Sequence, residues 1–207
     1  RGNVAAAKGK SAKGGAVGIA KVRDPRFEKL VEMYKPKKVT PAAIEFVVLP
    51  KIEKETIASG EAFGAIAEVD AICHVVRAFE DEAVFHIDGS IDPVRDIETV
   101  NAELVLNDLI FVEKRLERLA KEMVRNADKL KEKEKGYLLK FKECLEAGRF
   151  LRTVEFDEDM RKMFASYPFL TRKNIVVVLN IGEAAISDES LLTKVKEKFG
   201  PLGISAI

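Results

Sequence analysis

A chain of 207 residues with 47% hydrophobic content can bury a continuous core in one large domain or two small ones, which excludes disorder as a general description. Lys and Arg number 35 against 34 Asp and Glu, a formal net charge of +1, so no bulk field draws the chain to DNA or to an anionic membrane; a nucleic-acid contact would need a local patch. Cys73 and Cys144 lack disulfide-scaffold or CxxC spacing, and no apolar run approaches the ~20 residues of a membrane span, so no membrane association and a reduced, cytoplasmic setting are expected.

In chain order, residues 1–16 are almost only Ala, Gly, Lys and Ser and read as a flexible loop. Gly9-Lys10-Ser11 is the one GKS, but Val4 stands where a phosphate loop needs Gly, so it reads as loop composition. Val17 to Val22 suits a short strand. Asp24 caps a helix with Pro25 first and Phe27, Leu30, Val31 and Tyr34 on one face, stopped by Pro36. Ile44–Leu49 and Ala71–Val76 are apolar runs of strand length with mixed helical spacing between Thr56 and Glu68, which predicts a right-handed parallel crossover. From about Ile97 a narrow seam of Val105, Leu109, Val112, Leu116, Leu119 and Met123 predicts a coiled-coil helix. The charged stretch Lys129–Lys135 ends at Gly136, and a second helix with Leu138, Phe141 and Leu145 on its seam is expected to fold back antiparallel. Asn174–Leu179 is then a buried strand, Leu191, Val195 and Phe199 mark a helix, and Gly203–Ile207 a last strand. The expected fold is α/β: a doubly wound, mostly parallel sheet over 1–98 and 166–207, with an inserted antiparallel α-helical coiled-coil hairpin over 99–165.

Ligands of open α/β sheets bind at the carboxyl ends of the strands. Asn180-Ile181-Gly182-Glu183 puts an amide and a carboxylate after one strand, suited to the edge of a purine base or, more blandly, to capping the next helix. Ser205-Ala206-Ile207, after the last strand, offers backbone N–H groups. Arg77 and Phe79, followed by Glu80, Asp81 and Glu82, are either neighbours of a nucleotide pocket or a strand-end ion pair over a core ring. His74 reads as a hydrogen-bonded core histidine; His86 lies near Asp88 with no second ligand at metal spacing, and no metal site is proposed. Lys129, Lys131 and Lys133 at the expected hairpin tip, with Lys121, Arg125 and Lys135 nearby, either touch RNA phosphates or form a solvated tip. Cys73 and Cys144 read as small hydrophobes, with Cys144 redox-sensitive if exposed on the helical face.

Several stretches together carry a family resemblance. Glu68 to Glu82, His86 to Glu98 with Asn101-Ala102-Glu103-Leu104, Val22-Arg23-Asp24-Pro25-Arg26, Lys35 to Val47, and Tyr167-Pro168-Phe169-Leu170-Thr171 stand in one order, and the chain resembles the YchF (Obg-like ATPase) family of P-loop nucleotide hydrolases from about Val17 onward. The resemblance implies a G-domain-type nucleotide-binding domain interrupted by a coiled-coil hairpin and followed by a TGS domain. It further implies ATP or GTP with Mg²⁺ as ligand, nucleoside-triphosphate hydrolysis, and a ribosome or ribosomal-RNA partner. Asn180 and Glu183 match the family's Asn-x-x-Glu base loop, with Ile181 beside the base, and Ser205 and Ala206 match its second base loop. The chain starts at Arg1 and stops in an apolar stretch, so both ends read as cut, with the family's phosphate loop and TGS domain outside it. Val48-Leu49-Pro50-Lys51 stands where the family has Asp-x-x-Gly, so this polypeptide is expected to be inactive or weak. The alternative expectation is a non-hydrolysing interaction scaffold on the same fold.

Overall fold

A computed structural model describes residues 9–10, 16–49, 61–81, 83–84, 89–126 and 128–207 and divides the chain into two units, Arg1–Thr56 and Ile57–Ile207. In the first unit, strands β1 (Gly9–Lys10), β2 (Ala16–Lys21) and β3 (Ala43–Val47) form an antiparallel sheet in that order, with β2 and β3 paired from Val17 opposite Val47 to Lys21 opposite Ala43. Helix α1 (Pro25–Tyr34) joins β2 to β3. It starts where the Asp24 carboxylate accepts from the Arg26 N–H at 2.9 Å, and it ends where Lys35 takes φ 41°, ahead of Pro36. The segment read as a loop over 1–16 thus contains a strand at Gly9–Lys10, while residues 1–8 and 11–15 lie outside the described residues.

The second unit holds helix α2 (Glu61–Ala67) and a parallel sheet of β4 (Ala71–Ala78), β5 (Asn174–Ile181) and β6 (Ile204–Ala206), in that order. The register runs from Ala71 opposite Asn174 to Ala78 opposite Ile181, and from Ile175 opposite Ile204 to Val177 opposite Ala206. This corrects the expected crossover: among the described residues β3 pairs with β2 in one sheet and β4 with β5 in the other. Apolar content shows that a segment is a strand and says little about its partner. The weakly apolar Ala16–Lys21 is the segment that satisfies the β3 backbone.

Exposure alternates along β4, with Val76 buried and Val75 60% exposed, so among the described residues one face of this strand is covered. On the same side of the sheet as Val76, the buried Ile175, Val177, Ile204 and Ala206 form that inner face.

Between β4 and β5 the chain builds two long helices, α3 (Pro93–Arg125) and α4 (Lys129–Glu146). Asp92 caps α3 by accepting from the Val94 and Arg95 N–H groups at 3.1 Å, and α3 runs unbroken through the residue-99 boundary expected from the seam. Asp128 caps α4 by accepting from the Lys131 N–H at 2.8 Å, so the charged Lys129–Lys135 stretch belongs to the first turns of α4 and Gly136 lies inside it. An interior glycine costs about 1 kcal/mol relative to Ala; the cap and the packed seam outweigh it. Val112, Leu119, Leu138, Phe141 and Leu145 share one buried cluster with Phe164 of the following segment and Phe169. Cys144 lies in that cluster at 3% exposure, a small hydrophobe as read from the sequence, so the redox role that required an exposed thiol is not available to it, and burial pushes its pKa up.

Two polar devices tie the segment after α4 to the helices. Arg115 donates to Glu134 at 2.6 and 2.9 Å, and the Tyr167 hydroxyl donates to the same carboxylate at 2.5 Å. Asp108, fully buried on α3, accepts from the Leu170 N–H at 2.9 Å, the Thr171 N–H at 2.8 Å and the Thr171 hydroxyl at 2.6 Å. Helix α5 (Glu158–Met163) precedes this junction, β5 follows it, and α6 (Ser190–Phe199) leads to β6.

Candidate nucleotide-base site

Parallel pairing brings the carboxyl ends of β4, β5 and β6 to one edge, and the residues just beyond them are Phe79, Gly182 and Ile207. Asn180 and Ile181 are the last residues of β5 rather than loop residues, and Glu183 opens a single 3₁₀ turn, Glu183–Ala185. Asn180 and Glu183 are exposed and Ile181 is 37% exposed. The bland reading gave the first two a capping role. Neither side chain caps the 3₁₀ turn or α6; Asp188 instead accepts from the Ser190 N–H at 2.9 Å. An amide, a carboxylate and an apolar side chain therefore stand together at one strand end with their polar atoms uncommitted among the described residues.

The neighbouring strand end is braced by Arg77. Its guanidinium donates to the carbonyls of Phe79 at 2.9 Å, Val84 at 2.7 Å and Asp81 at 3.2 Å, and lies 4.8 Å from the Phe79 ring centroid. The cation stands over a ring, as one sequence reading had it, but among the described residues its donors go to backbone carbonyls rather than to a carboxylate, and it braces Phe79, Asp81 and Val84. Phe79 in turn sits under Gly182, where an added Cβ would be 3.5 Å from the Phe79 Cβ, so the braced turn backs the Asn180–Glu183 segment. Glu82, His86 and Asp88 lie outside the described residues.

Ser205 and Ala206, expected after the last strand, are inside β6. Ile207 extends the ladder: its N–H donates to the Val177 carbonyl at 3.0 Å and its carbonyl accepts from the Leu179 N–H at 3.0 Å. Alternate residues of a parallel strand bond to opposite sides, so Ala206 turns its N–H to the open edge of β6 while its side chain is buried. The Ala206 N–H thus faces away from β5, on the far side of β6 from the Asn180–Glu183 amide and carboxylate.

His74 lies on the covered side of β4, and burial pushes its pKa below the ordinary 6.5 against the opposing pull of Asp96. Among the described residues no group of three or more His, Cys, Asp or Glu is placed to hold a metal ion. No helix among them is long and apolar enough to cross a membrane. Of the cations expected at the hairpin tip, Lys129 is exposed, Lys131 donates to the Asn126 carbonyl at 2.7 Å beside Asp128, and Lys133 is paired with Asp159.

Sequence reasoning missed Asp108. The signal was there: it falls four residues from both Leu104 and Val112, so a carboxylate occupies a position of the buried stripe.

No protein-family model matches the chain. It is 42% identical over 179 residues to the ribosome-binding ATPase YchF of Bacillus subtilis (strain 168), an alignment spanning 84% of this chain and 48% of that protein. It is 36% identical over 166 residues to Obg-like ATPase 1 of Caenorhabditis elegans, spanning 78% of this chain and 42% of that one. The structure of the Schizosaccharomyces pombe YchF GTPase superposes with a TM-score of 0.73 at 29% identity, covering 92% of this chain and 54% of the other. The chain spans about half the length of the curated relatives it matches. Similarity of sequence and of fold together place it in the YchF and Obg-like ATPase family.

Proposed function

We propose that the carboxyl edge of the β4-β5-β6 sheet is the base-recognition part of a purine nucleotide site taking ATP or GTP, in a protein that hydrolyses nucleoside triphosphates and associates with the ribosome. The observation that carries the reading is the side-by-side placement of three parallel strand ends, with Asn180 and Glu183 uncommitted at the end of the middle one. The Glu183 carboxylate accepts from ring or exocyclic N–H groups of the purine, the Asn180 amide both donates and accepts, and Ile181 packs on the base. Ser205 and Ala206, inside β6, are the counterparts of the family's second base loop. Phe79 and Arg77 act one step back, holding the wall against which Gly182 lies.

The two long helices are, in this proposal, the family's inserted coiled-coil domain, spanning about 99–165 between the two halves of the nucleotide-binding domain. Ribosome association fits the YchF relatives, which carry "ribosome-binding" in their names, and sets the protein in the cytoplasm. With Lys131 and Lys133 engaged, Lys129 is the tip cation best able to meet an RNA phosphate. Mg²⁺ enters with the phosphates and is held by groups other than those at the base edge. On this polypeptide the proposal is binding with little or no turnover, because Val48 and Leu49 begin the stretch where the family carries Asp-x-x-Gly.

The test is calorimetric titration of the polypeptide with ATP and with GTP. Asn180→Ala and Glu183→Ala are each expected to weaken binding by about 1–3 kcal/mol, the cost of leaving a purine polar group unmatched. Unchanged affinity in both variants would refute the site.

A further inference from the structure

Away from the sheet edge, the chain between α4 and β5 encloses a cleft of about 710 Å³ whose lining includes Arg152, Arg161, Arg172, Phe156, Glu155 and Asp157. Three guanidinium groups converge here, and the groups they donate to are all neutral. Arg152 donates to the carbonyls of Thr171 and Gly203 at 3.3 Å, Arg161 to the carbonyl of Phe156 at 2.9 Å, and Arg172 to the carbonyl of Phe164 at 3.3 Å. Among the described residues none of the three is ion-paired to a carboxylate, whereas Arg115 holds Glu134 and Glu122 at 2.6 and 2.9 Å.

The uncompensated charge has visible consequences. Arg152 is partly buried, its Nη2 has no acceptor, and burial pulls its pKa down to about 10. Burial and the charge of Arg161 both lower that of Arg172. The two carboxylates on the lining leave a formal excess of one positive charge; Asp157 accepts from the Met160 N–H at 2.7 Å and the Tyr137 hydroxyl at 3.3 Å, and Glu155 is exposed. Free guanidinium N–H donors in a fork geometry suit a tetrahedral oxyanion.

We propose that this arginine-lined cleft is a binding site for a phosphate group, separate from the nucleotide-base edge. The volume is far larger than one phosphate, so the phosphate belongs to a larger molecule. The site does not read a base. Phe156 has the Arg172 guanidinium 4.3 Å from its ring centroid and is stacked on Phe141 at 5.1 Å, so both ring faces are occupied. The ligand is recognised through its phosphate alone, whether it is a phosphorylated small molecule or a nucleic-acid backbone.

The probe is pyrophosphate, which has no base to engage the sheet edge, titrated calorimetrically into the polypeptide at low ionic strength without Mg²⁺. Exposed Arg161→Gln is expected to weaken binding about tenfold, and exposed Glu155→Gln, which removes the repelling carboxylate, to tighten it about threefold. Arg172→Gln is checked for folding by circular dichroism and is expected to weaken binding as Arg161→Gln does. Displacement of bound pyrophosphate by a short single-stranded RNA supports the site and assigns it to nucleic-acid backbone; pyrophosphate binding that RNA leaves untouched supports the site and assigns it to a small phosphorylated compound. No pyrophosphate binding up to about 10 mM, or binding that neither exposed variant alters, overturns the proposal. Asn180→Ala leaves pyrophosphate binding unchanged, so failure of the base site and failure of this one are told apart.

Discussion

Replacing Asp108 by alanine removes the acceptor for three buried donors at once: the Leu170 N–H, the Thr171 N–H and the Thr171 hydroxyl. Each buried donor left unpaired costs about 1–3 kcal/mol, and water entering the vacated space recovers part of it, so a loss of about 3–5 kcal/mol is expected. Burial raises the pKa of Asp108 against the opposing bonds from Thr171 and Leu170, so part of what the carboxylate gains from its donors already offsets its own desolvation. Asp108→Asn, which keeps one oxygen but turns an amide N–H₂ toward donors, falls between wild type and alanine. Thr171→Val removes one of the three bonds, together with the Leu151 N–H bond to the same hydroxyl at 3.3 Å. The Asp108/Thr171 double-mutant cycle is expected to give a coupling of about 1–2 kcal/mol. Urea denaturation followed by circular dichroism measures all of these. The damage is also local in a definite way: residues 170–171 lead directly into β5, so faster amide exchange at the start of that strand accompanies the loss. A cost below about 1 kcal/mol for Asp108→Ala, with exchange in β5 unchanged, would refute the view that this carboxylate fastens the long helices to the strand that ends at Asn180.

Two further predictions concern stability. Burial raises the pKa of Glu134, but the bonds from Arg115 and Tyr167 outweigh it and the net shift is downward from the ordinary 4.5. A carboxyl lowered on folding contributes stability that is present above its unfolded value and lost as pH falls through the folded one. Wild type is therefore expected to lose stability on acidification below about pH 4.5 more steeply than Glu134→Gln, as measured by urea midpoints across that range; parallel curves would contradict the assignment. At Gly203, φ is 72° and an added Cβ would lie 2.7 Å from the Arg152 Cδ. Gly203→Ala is expected to cost about 2–3 kcal/mol in wild type and about 1 kcal/mol in an Arg152→Ala background, where only the left-handed backbone is strained; equal costs in the two backgrounds would show that Arg152 is not the obstacle.

Much of this was legible in the residues. The apolar run Asn174–Leu179 and the helical spacing of Leu191, Val195 and Phe199 mark elements that form where expected, because burial on one face leaves a period in the sequence. The Asp24-Pro25 pair marks the start of α1 for the same local reason, a cap followed by a residue that needs no helical partner. The pairing of β3 was not legible, since ladder partners are chosen by tertiary closure. Gly136 was read as an end because glycine weakens helices, and packing around Leu138 and Phe141 overrode it. Cys144 follows the period: amid charges in the sequence, it lies one turn from Phe141 and is buried as the small hydrophobe it was read to be. At the candidate site, Asn180, Ile181 and Glu183 were found from the strand-end rule, whereas the bracing role of Arg77 depends on where the carbonyls of Phe79, Asp81 and Val84 lie, which no spacing encodes.

The central claim, that a purine base binds at the carboxyl edge of the parallel sheet, is tested most directly by two-dimensional amide NMR of the polypeptide during titration with ATP. The account predicts the largest shift changes at Ile181, Gly182, Glu183 and Ala206, saturating with the affinity measured by calorimetry. Saturable shifts confined to other parts of the chain, with those four amides unmoved, would contradict it.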